Sequence, residues 1–338
     1  MAKVSDFRYE LPEESIAQSA IEPRHDARLL DTRDYSDHRF LDLPELLEPG
    51  DLVVINETRV RAARLIGHRR STGGKIELLF LDRDEDGRWE ALAKPARRLR
   101  TGTVIDIGDA TAFILENLGE GRVLLTLSGE DDETMIADRG TVPLPPYFTG
   151  ILDDPERYQT MYARVPGSAA APTAGLHFTD TVFQGLARRG IAVARVDLHV
   201  SLDTFRPMTV DDIADHVIHS EWCAVPEDAA VAIEKTRSAG GRVVAIGTTV
   251  VRSLETFARE DGTVAAGQRH TDLFLRPGSE FKVVDALVTN FHLPGSTLLV
   301  LLASFMGERW RETYRIALDR GYRFLSFGDA MYAERGHS

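Results

Sequence analysis

Apolar and polar positions along the chain fall into three regimes. Up to about residue 60, helix-like and strand-like patterns alternate. Pro12 opens a predicted helix over 12–20 (PEESIAQSA), 43–47 reads as a short helical turn, and Pro49-Gly50 precede the apolar run Leu52-Val53-Val54-Ile55, which predicts a buried strand. Between about residues 62 and 141 the pattern becomes one of short strands, over 75–81, 89–93, 103–107, 112–115 and 122–127. Glycine-bearing turns separate them at Gly73-Gly74, Asp86-Gly87, Gly102, Gly108 and Gly119 to Gly121. Closely spaced strands without a long amphipathic helix predict a small antiparallel barrel. Pro143-Leu144-Pro145-Pro146-Tyr147 then forms a stiff exit linker, because proline fixes an extended path and cannot pair regularly.

Beyond the linker the alternation returns. Helices are predicted over 180–190, 226–239 and 249–258, strands over 191–200, 242–246, 271–275 and 283–288, and a helical tail over 296–320. Strand, helix and strand in succession imply parallel pairing. The expected fold is therefore a split, layered α/β domain (1–61 and 142–338) interrupted by an inserted small antiparallel β-barrel (62–141).

Composition narrows this picture in three places. A single cysteine, Cys223, excludes an internal disulfide framework and a cysteine-based zinc cage. The longest apolar stretch, 296–306, is too short for a bilayer span, which takes about 20 residues. With no apolar segment at the N-terminus, a cytoplasmic protein is expected. The net charge of −13 argues at first against a nucleic-acid partner, but its distribution is uneven. Between Arg59 and Arg100 twelve basic residues face six acidic ones, so this stretch is +6 and the remainder −19. A basic insert of this kind suits a large anionic partner as well as a solvated arginine-rich face.

Candidate chemistry concentrates in two loops. The segment Gly167-Ser168-Ala169-Ala170-Ala171-Pro172-Thr173-Ala174-Gly175-Leu176-His177-Phe178 is rich in small residues and runs into a helix start, where free backbone N–H groups receive polar ligand edges. The turn Ile246-Gly247-Thr248-Thr249 joins a strand to a helix with one glycine and two hydroxyls, which is not the dinucleotide fingerprint. Arg252, one turn further on, faces either Glu255 or a ligand, the former being the commoner fate. His216, His219 and Glu221 lie close in sequence but lack the spacing of a metalloenzyme helix, so no metal site is expected. His199 sits at the end of a predicted central strand, where parallel sheets place ligands, and His177 and His292 sit in loops where an imidazole can act as a base. From the residues alone, the chain is an α/β enzyme for a polar small molecule with a basic barrel for a larger anion.

Taken together these segments resemble the S-adenosylmethionine:tRNA ribosyltransferase-isomerase family of the queuosine pathway. The resemblance runs through DFRYELPEESIAQ, DLPELLEPGDLVVINETRV, GGKIELLFL, AKPARRLRTG, GTVPLPPY, ERYQTMYA, GSAAAPTAGLHFT, LHVSLDTFRP, HSE, GGRVVAIGTTVVRSLE, FKVVDALVTNFHLPGSTLL and FGDAM, nearly the whole chain in one order. It implies an α/β domain with an inserted barrel, and transfer and isomerisation of the ribosyl group of S-adenosylmethionine onto 7-aminomethyl-7-deazaguanine at the tRNA wobble position. Adenine and methionine leave and epoxyqueuosine-tRNA is formed. The mechanism usually proposed begins with a base removing a proton from the ribose carbon beside the sulfonium. S-adenosylmethionine is then a co-substrate, with no further cofactor and no metal, and the anticodon arm of tRNA is the partner of what is expected to be a monomer.

On this resemblance His177 and His199 are the candidate bases. Thr173, Gly175, Gly247, Thr248, Thr249 and Asn290 stand where S-adenosylmethionine would be held, and Arg59, Arg97, Arg98, Arg206 and Arg252 where tRNA phosphates would be. Ser201 and Asp203 replace glycines usual in the family and Val250 replaces a serine, which leaves a divergent paralogue with another acceptor as an alternative. A conventional S-adenosylmethionine-dependent RNA methyltransferase is disfavoured, because no glycine-rich loop follows the first strand.

Overall fold

The computed structural model describes residues 2–128, 131–150, 152, 154–201, 207–218 and 220–336. The chain forms two compact units, one of residues 1–59 and 145–338 and one of Val60–Leu144.

The larger unit is built on a nine-stranded mixed sheet. Its strands, in chain order, are β1 (Arg28–Asp31), β2 (Ser36–Arg39), β3 (Leu52–Asn56), β4 (Ala192–Leu198), β5 (Glu221–Val225), β6 (Val243–Ile246), β7 (Gly267–Thr271), β8 (Ala286–Asn290) and β9 (Ala330–Glu334). They lie in the order β7-β5-β4-β3-β6-β8-β9-β1-β2. The middle run β4-β3-β6-β8 is parallel throughout, so the carboxyl ends of these four strands share one edge. Every residue of β3, β6 and β8 is buried, which is why they read as unbroken apolar runs: both faces are covered. One face packs in the cluster that holds Val54, Val196, Ala245 and Leu287, with the helices Glu227–Ser238, Thr248–Thr256 and Thr297–Met306. The other packs with Val53, Val244 and Val288 against Val182 and Leu186 of the helix Asp180–Arg188.

Several expected elements differ. The segment 12–20 makes only a single 3-10 turn, Glu13–Ser15, because Ile16 bridges Phe324 and the Ala17 N–H donates to the Phe324 carbonyl at 3.2 Å. The tail is two helices, Thr297–Met306 and Arg309–Asp319, broken where Gly307 takes φ +66°. The strand expected over 271–275 is β7, four residues earlier. The strand expected over 283–288 starts late, since the Glu255 carboxylate accepts the backbone N–H groups of Lys282, Val283 and Val284 at 2.8–3.1 Å. β9 completes the sheet between β8 and β1.

The smaller unit is a closed six-stranded antiparallel barrel of Arg64–Arg69, Lys75–Arg83, Trp89–Lys94, Val104–Ile107, Ala110–Gly119 and Arg122–Ser128, followed by the helix Asp132–Arg139. Leu65, Leu78, Phe80, Trp89, Ile105, Ile114, Val123 and Leu125 fill it. Among the described residues, six of its thirteen Lys and Arg residues pair with local carboxylates, including Arg64 with Glu77 at 2.7 Å, Arg70 with Asp106 at 2.5 Å and Arg88 with Asp84 at 2.7 Å. Arg97 and Arg98 are exposed and, among the described residues, take part in no ion pair.

Candidate active site

The carboxyl ends of β3, β4, β6 and β8 bring Asn56, His199, Gly247 and Asn290 to one edge of the sheet, the place where open α/β sheets bind ligands. A cavity of about 590 Å³, including its open mouth, lies there. The segment Ala171–Ala174, Val200, Gly247–Thr249, Thr289–Leu293 and Ser296 line it, joined by Tyr147, Leu298, Leu325 and Ser326.

Gly247 takes φ +91°, a conformation other residues rarely adopt, and so turns β6 directly into the helix Thr248–Thr256. The first-turn N–H groups of that helix have no intrahelical acceptor and stand beside the cavity. Thr249 lines it with a buried hydroxyl that has no hydrogen-bond partner. On the opposite side the Thr173 hydroxyl donates to Asn290 Oδ1 at 2.9 Å, and Asn290 Nδ2 donates to the Asp329 carbonyl at 3.3 Å and to His177 Nε2 at 3.4 Å. Thr173, Asn290 and His177 thus form one hydrogen-bonded chain that fixes the asparagine amide. Gly175 does not line the cavity; a Cβ there would sit 2.1 Å from the Tyr162 hydroxyl, so it serves close packing.

The two candidate bases occupy different settings. His177 is buried, its ring tilted against Phe40 at 5.0 Å between centroids, and burial lowers its pKa to about 4. It faces a second, smaller cavity. His199 follows β4, is half-buried, and packs tilted against Trp222 with ring centroids 4.4 Å apart, the Trp222 carbonyl accepting its backbone N–H. Its ring lies against Gly167, where a Cβ would come within 2.2 Å of the imidazole. Its neighbour Val200 lines the large cavity and is held by the loop, with Ser168 Oγ accepting the Val200 N–H at 2.8 Å and the Ala169 N–H donating to the Val200 carbonyl at 3.0 Å.

The sequence reading of the arginines needs one correction. Arg252 is buried, ion-paired with buried Glu221, and donates to the carbonyls of Leu273 at 3.2 Å and Thr271 at 3.4 Å, so it presents no guanidinium to an RNA surface. Its partner is not Glu255, which caps residues 282–284 instead. Arg59 is half-exposed and pairs with Glu156. Arg206, with Asp203 and His219, lies outside the described residues. Glu221 also accepts the Ser201 N–H at 2.7 Å. Among the described residues no group of His, Cys, Asp and Glu could hold a metal ion, and no helix is long and apolar enough to cross a membrane.

A model of the family described as Queuosine biosynthesis protein matches residues 4–333. This chain belongs to that family. Among its relatives, the S-adenosylmethionine:tRNA ribosyltransferase-isomerase of Symbiobacterium thermophilum is 51% identical over 338 residues, covering 97% of this chain and 99% of the relative. The enzyme of the same name from Moorella thermoacetica is 48% identical with the same coverage. The crystal structure of S-adenosylmethionine tRNA ribosyltransferase from Thermotoga maritima, 38% identical, superposes with a TM-score of 0.54 and covers 97% of this chain and 99% of that one. The split α/β domain with its inserted barrel is thus the fold of this queuosine biosynthesis protein, as the resemblance implied.

Sequence reasoning missed part of this family member's cavity. Tyr147 closes the exit linker, and its hydroxyl meets Ser326 Oγ at 2.5 Å; nothing in the sequence marks Ser326 as a wall residue. Thr289 and His292 come with Asn290 from the end of β8, Thr289 Oγ1 and His292 Nε2 being 3.1 Å apart. Burial lowers the His292 pKa to about 3.

These buried histidines make acid stability predictable. Both fold neutral, with pKa values below the ordinary 6.5, so their stabilisation is complete above pH 6.5 and is lost as the pH falls toward their folded values. Asp197 works in the opposite sense, since burial and then Glu57 raise it to about 6. The net expectation is a loss of about 2 kcal/mol in unfolding free energy between pH 7 and pH 5. Urea titrations at the two pH values check it, and a His292→Gln variant should show a smaller difference.

Proposed function

We propose that this chain is an S-adenosylmethionine:tRNA ribosyltransferase-isomerase acting in the cytoplasm, which moves and isomerises the ribosyl group onto 7-aminomethyl-7-deazaguanine at the tRNA wobble position. The observation that carries the reading is the cavity at the carboxyl ends of β3, β4, β6 and β8, lined by the segments that define the family resemblance. Phe291, Leu293, Leu298 and Leu325 supply apolar wall for an adenine, and the partnerless Thr249 hydroxyl and the N–H groups at Thr248 and Thr249 supply donors for its polar edges. The fixed Thr173–Asn290 pair orients the sugar.

The first chemical step needs a base beside the sulfonium-activated ribose carbon. His199 is the better placed of the two histidines, because it sits at the strand end next to Val200 and is not fully buried. The Nε2 of His177 already accepts the Asn290 amide, and a pKa of about 4 makes it a weak base at neutral pH, so it is a positioning residue for Asn290. Arg97 and Arg98 on the barrel, with Arg59, hold phosphates of the anticodon arm.

Incubation with S-adenosylmethionine and an anticodon stem-loop bearing the deazaguanine tests the reading by mass spectrometry. Free adenine with a matching mass gain on the RNA is expected. Methylated RNA with S-adenosylhomocysteine would replace it with a methyltransferase.

A further inference from the structure

A second cavity, about 270 Å³ with its mouth, opens in the larger unit and shares Ser326 with the first. Three guanidinium groups, those of Arg24, Arg157 and Arg323, line it together with His177, and no carboxylate is among its lining residues. The three arginines come from segments more than a hundred residues apart, so their convergence is a product of folding alone.

Two of the heads are held without being neutralised. Arg24 donates to the carbonyls of Gln159 at 2.6 Å and Glu156 at 2.9 Å, and Arg323 to those of Ser19 at 2.9 Å and Phe327 at 3.0 Å. A guanidinium has five N–H donors, so each keeps donors in hand after two are used. Arg157 bonds the Ile21 carbonyl at 3.3 Å and pairs at 2.6 Å with Glu22, a largely exposed carboxylate. Glu22, Asp154 and Glu156 act on Arg24 from outside the lining, yet burial and then Arg157 still lower its pKa, and Arg323 and Arg24 add to the burial that lowers His177. The lining of the cavity is therefore positive, and the carboxylates that face these arginines stand outside it.

We propose that this cavity takes a backbone phosphodiester of the RNA substrate, next to the nucleotide whose base enters the large cavity. The inference rests on the tRNA reading given above. A phosphodiester carries one negative charge and two free oxygens that match guanidinium forks. An amino-acid end, such as that of S-adenosylmethionine, carries an ammonium as well, and here it would meet three guanidinium-bearing lining residues and no lining carboxylate. The chain His177–Asn290–Thr173 and the shared Ser326 link the phosphate position to the wall of the reacting site, so that seating the RNA and orienting the sugar are joined through one rigid network.

The test uses full-length protein with Arg157→Gln and Arg323→Gln, the deazaguanine stem-loop RNA, and S-adenosylmethionine. RNA affinity is followed across a salt series, S-adenosylmethionine affinity by calorimetry, and folding by thermal unfolding. Each variant should weaken stem-loop binding about tenfold and reduce the steepness of log Kd against log salt by about 1, with S-adenosylmethionine binding within about twofold of wild type. Should Arg323→Gln fail to fold, Arg157→Gln still reads the site, because Glu22, its carboxylate partner among the described residues, is largely exposed. An unchanged salt slope in folded protein overturns the inference, and weaker S-adenosylmethionine binding with an unchanged slope gives the cavity to that ligand's carboxylate instead. Wild-type protein that binds the stem-loop but releases no adenine sinks the functional reading and leaves the slope to decide the phosphate site by itself.

Discussion

Arg252→Met should destabilise the protein by about 3–5 kcal/mol, the cost of leaving a buried charge without its partner. The guanidinium and the Glu221 carboxylate are both almost wholly buried and form an ion pair. Burial lowers the arginine pKa to about 10, so desolvation is a real cost here, although the group stays charged at neutral pH. Removing the arginine breaks this buried ion pair of Glu221, which also accepts the Ser201 N–H immediately after the strand end that carries His199. Urea unfolding measures the loss. The double variant Arg252→Met with Glu221→Leu should recover most of it, because two apolar side chains leave no charge to desolvate. A single variant within about 0.5 kcal/mol of wild type would show that the pair does not hold this part of the sheet. The position thus carries large stability consequences without a direct contact to RNA.

His199→Ala should lower adenine release by about 10²- to 10⁴-fold, the range for loss of a positioned base, while S-adenosylmethionine still binds. The geometry around the ring makes a second variant equally informative. Gly167→Ala puts a methyl group where the imidazole now lies and forces the ring to move, since the projected Cβ is 2.2 Å from it. Displacing a catalytic group by about 1 Å is enough to cost roughly 10²-fold in rate. Single-turnover kinetics with calorimetric binding of S-adenosylmethionine separate the two effects. Wild-type rates in folded His199→Ala would remove the histidine from the chemistry, and Gly167→Ala tests whether its position matters. His177→Ala should act differently, weakening S-adenosylmethionine binding as Asn290 loses one of its fixed partners.

The elements that the sequence made legible are those whose environment is uniform along their length. Runs such as Leu52 to Ile55 and Val243 to Ile246 are apolar at every position because both faces are covered, and a continuous run cannot be mistaken for a solvated surface. The loop over 167–178 was legible as functional because small side chains before a helix start let a ligand approach the backbone, and Ala171 to Ala174 do line the cavity. The segment over 12–20 misled because its local pattern suits a helix, while a bridge to Phe324, distant in sequence, holds Ile16 extended.

Charge was the least legible property. The +6 of residues 59–100 already counts Glu77 and Asp84, and three carboxylates outside that stretch, Asp106, Asp132 and Glu156, pair with Arg70, Arg83 and Arg59 and offset half of it, leaving Arg97 and Arg98 exposed on the barrel. Arg252 and Arg323 look alike in sequence; one is locked to Glu221 and the other opens onto a cavity without a carboxylate. By itself the sequence determined the class of fold and the family, and it singled out loops that line the cavity, because these follow from local pattern and from motifs kept in order. Only the tertiary structure decided which histidine stands half-open at a strand end and which is buried, and which arginines keep their charge available. Burial and counter-ions are set by residues far apart in the chain, and no local pattern records them.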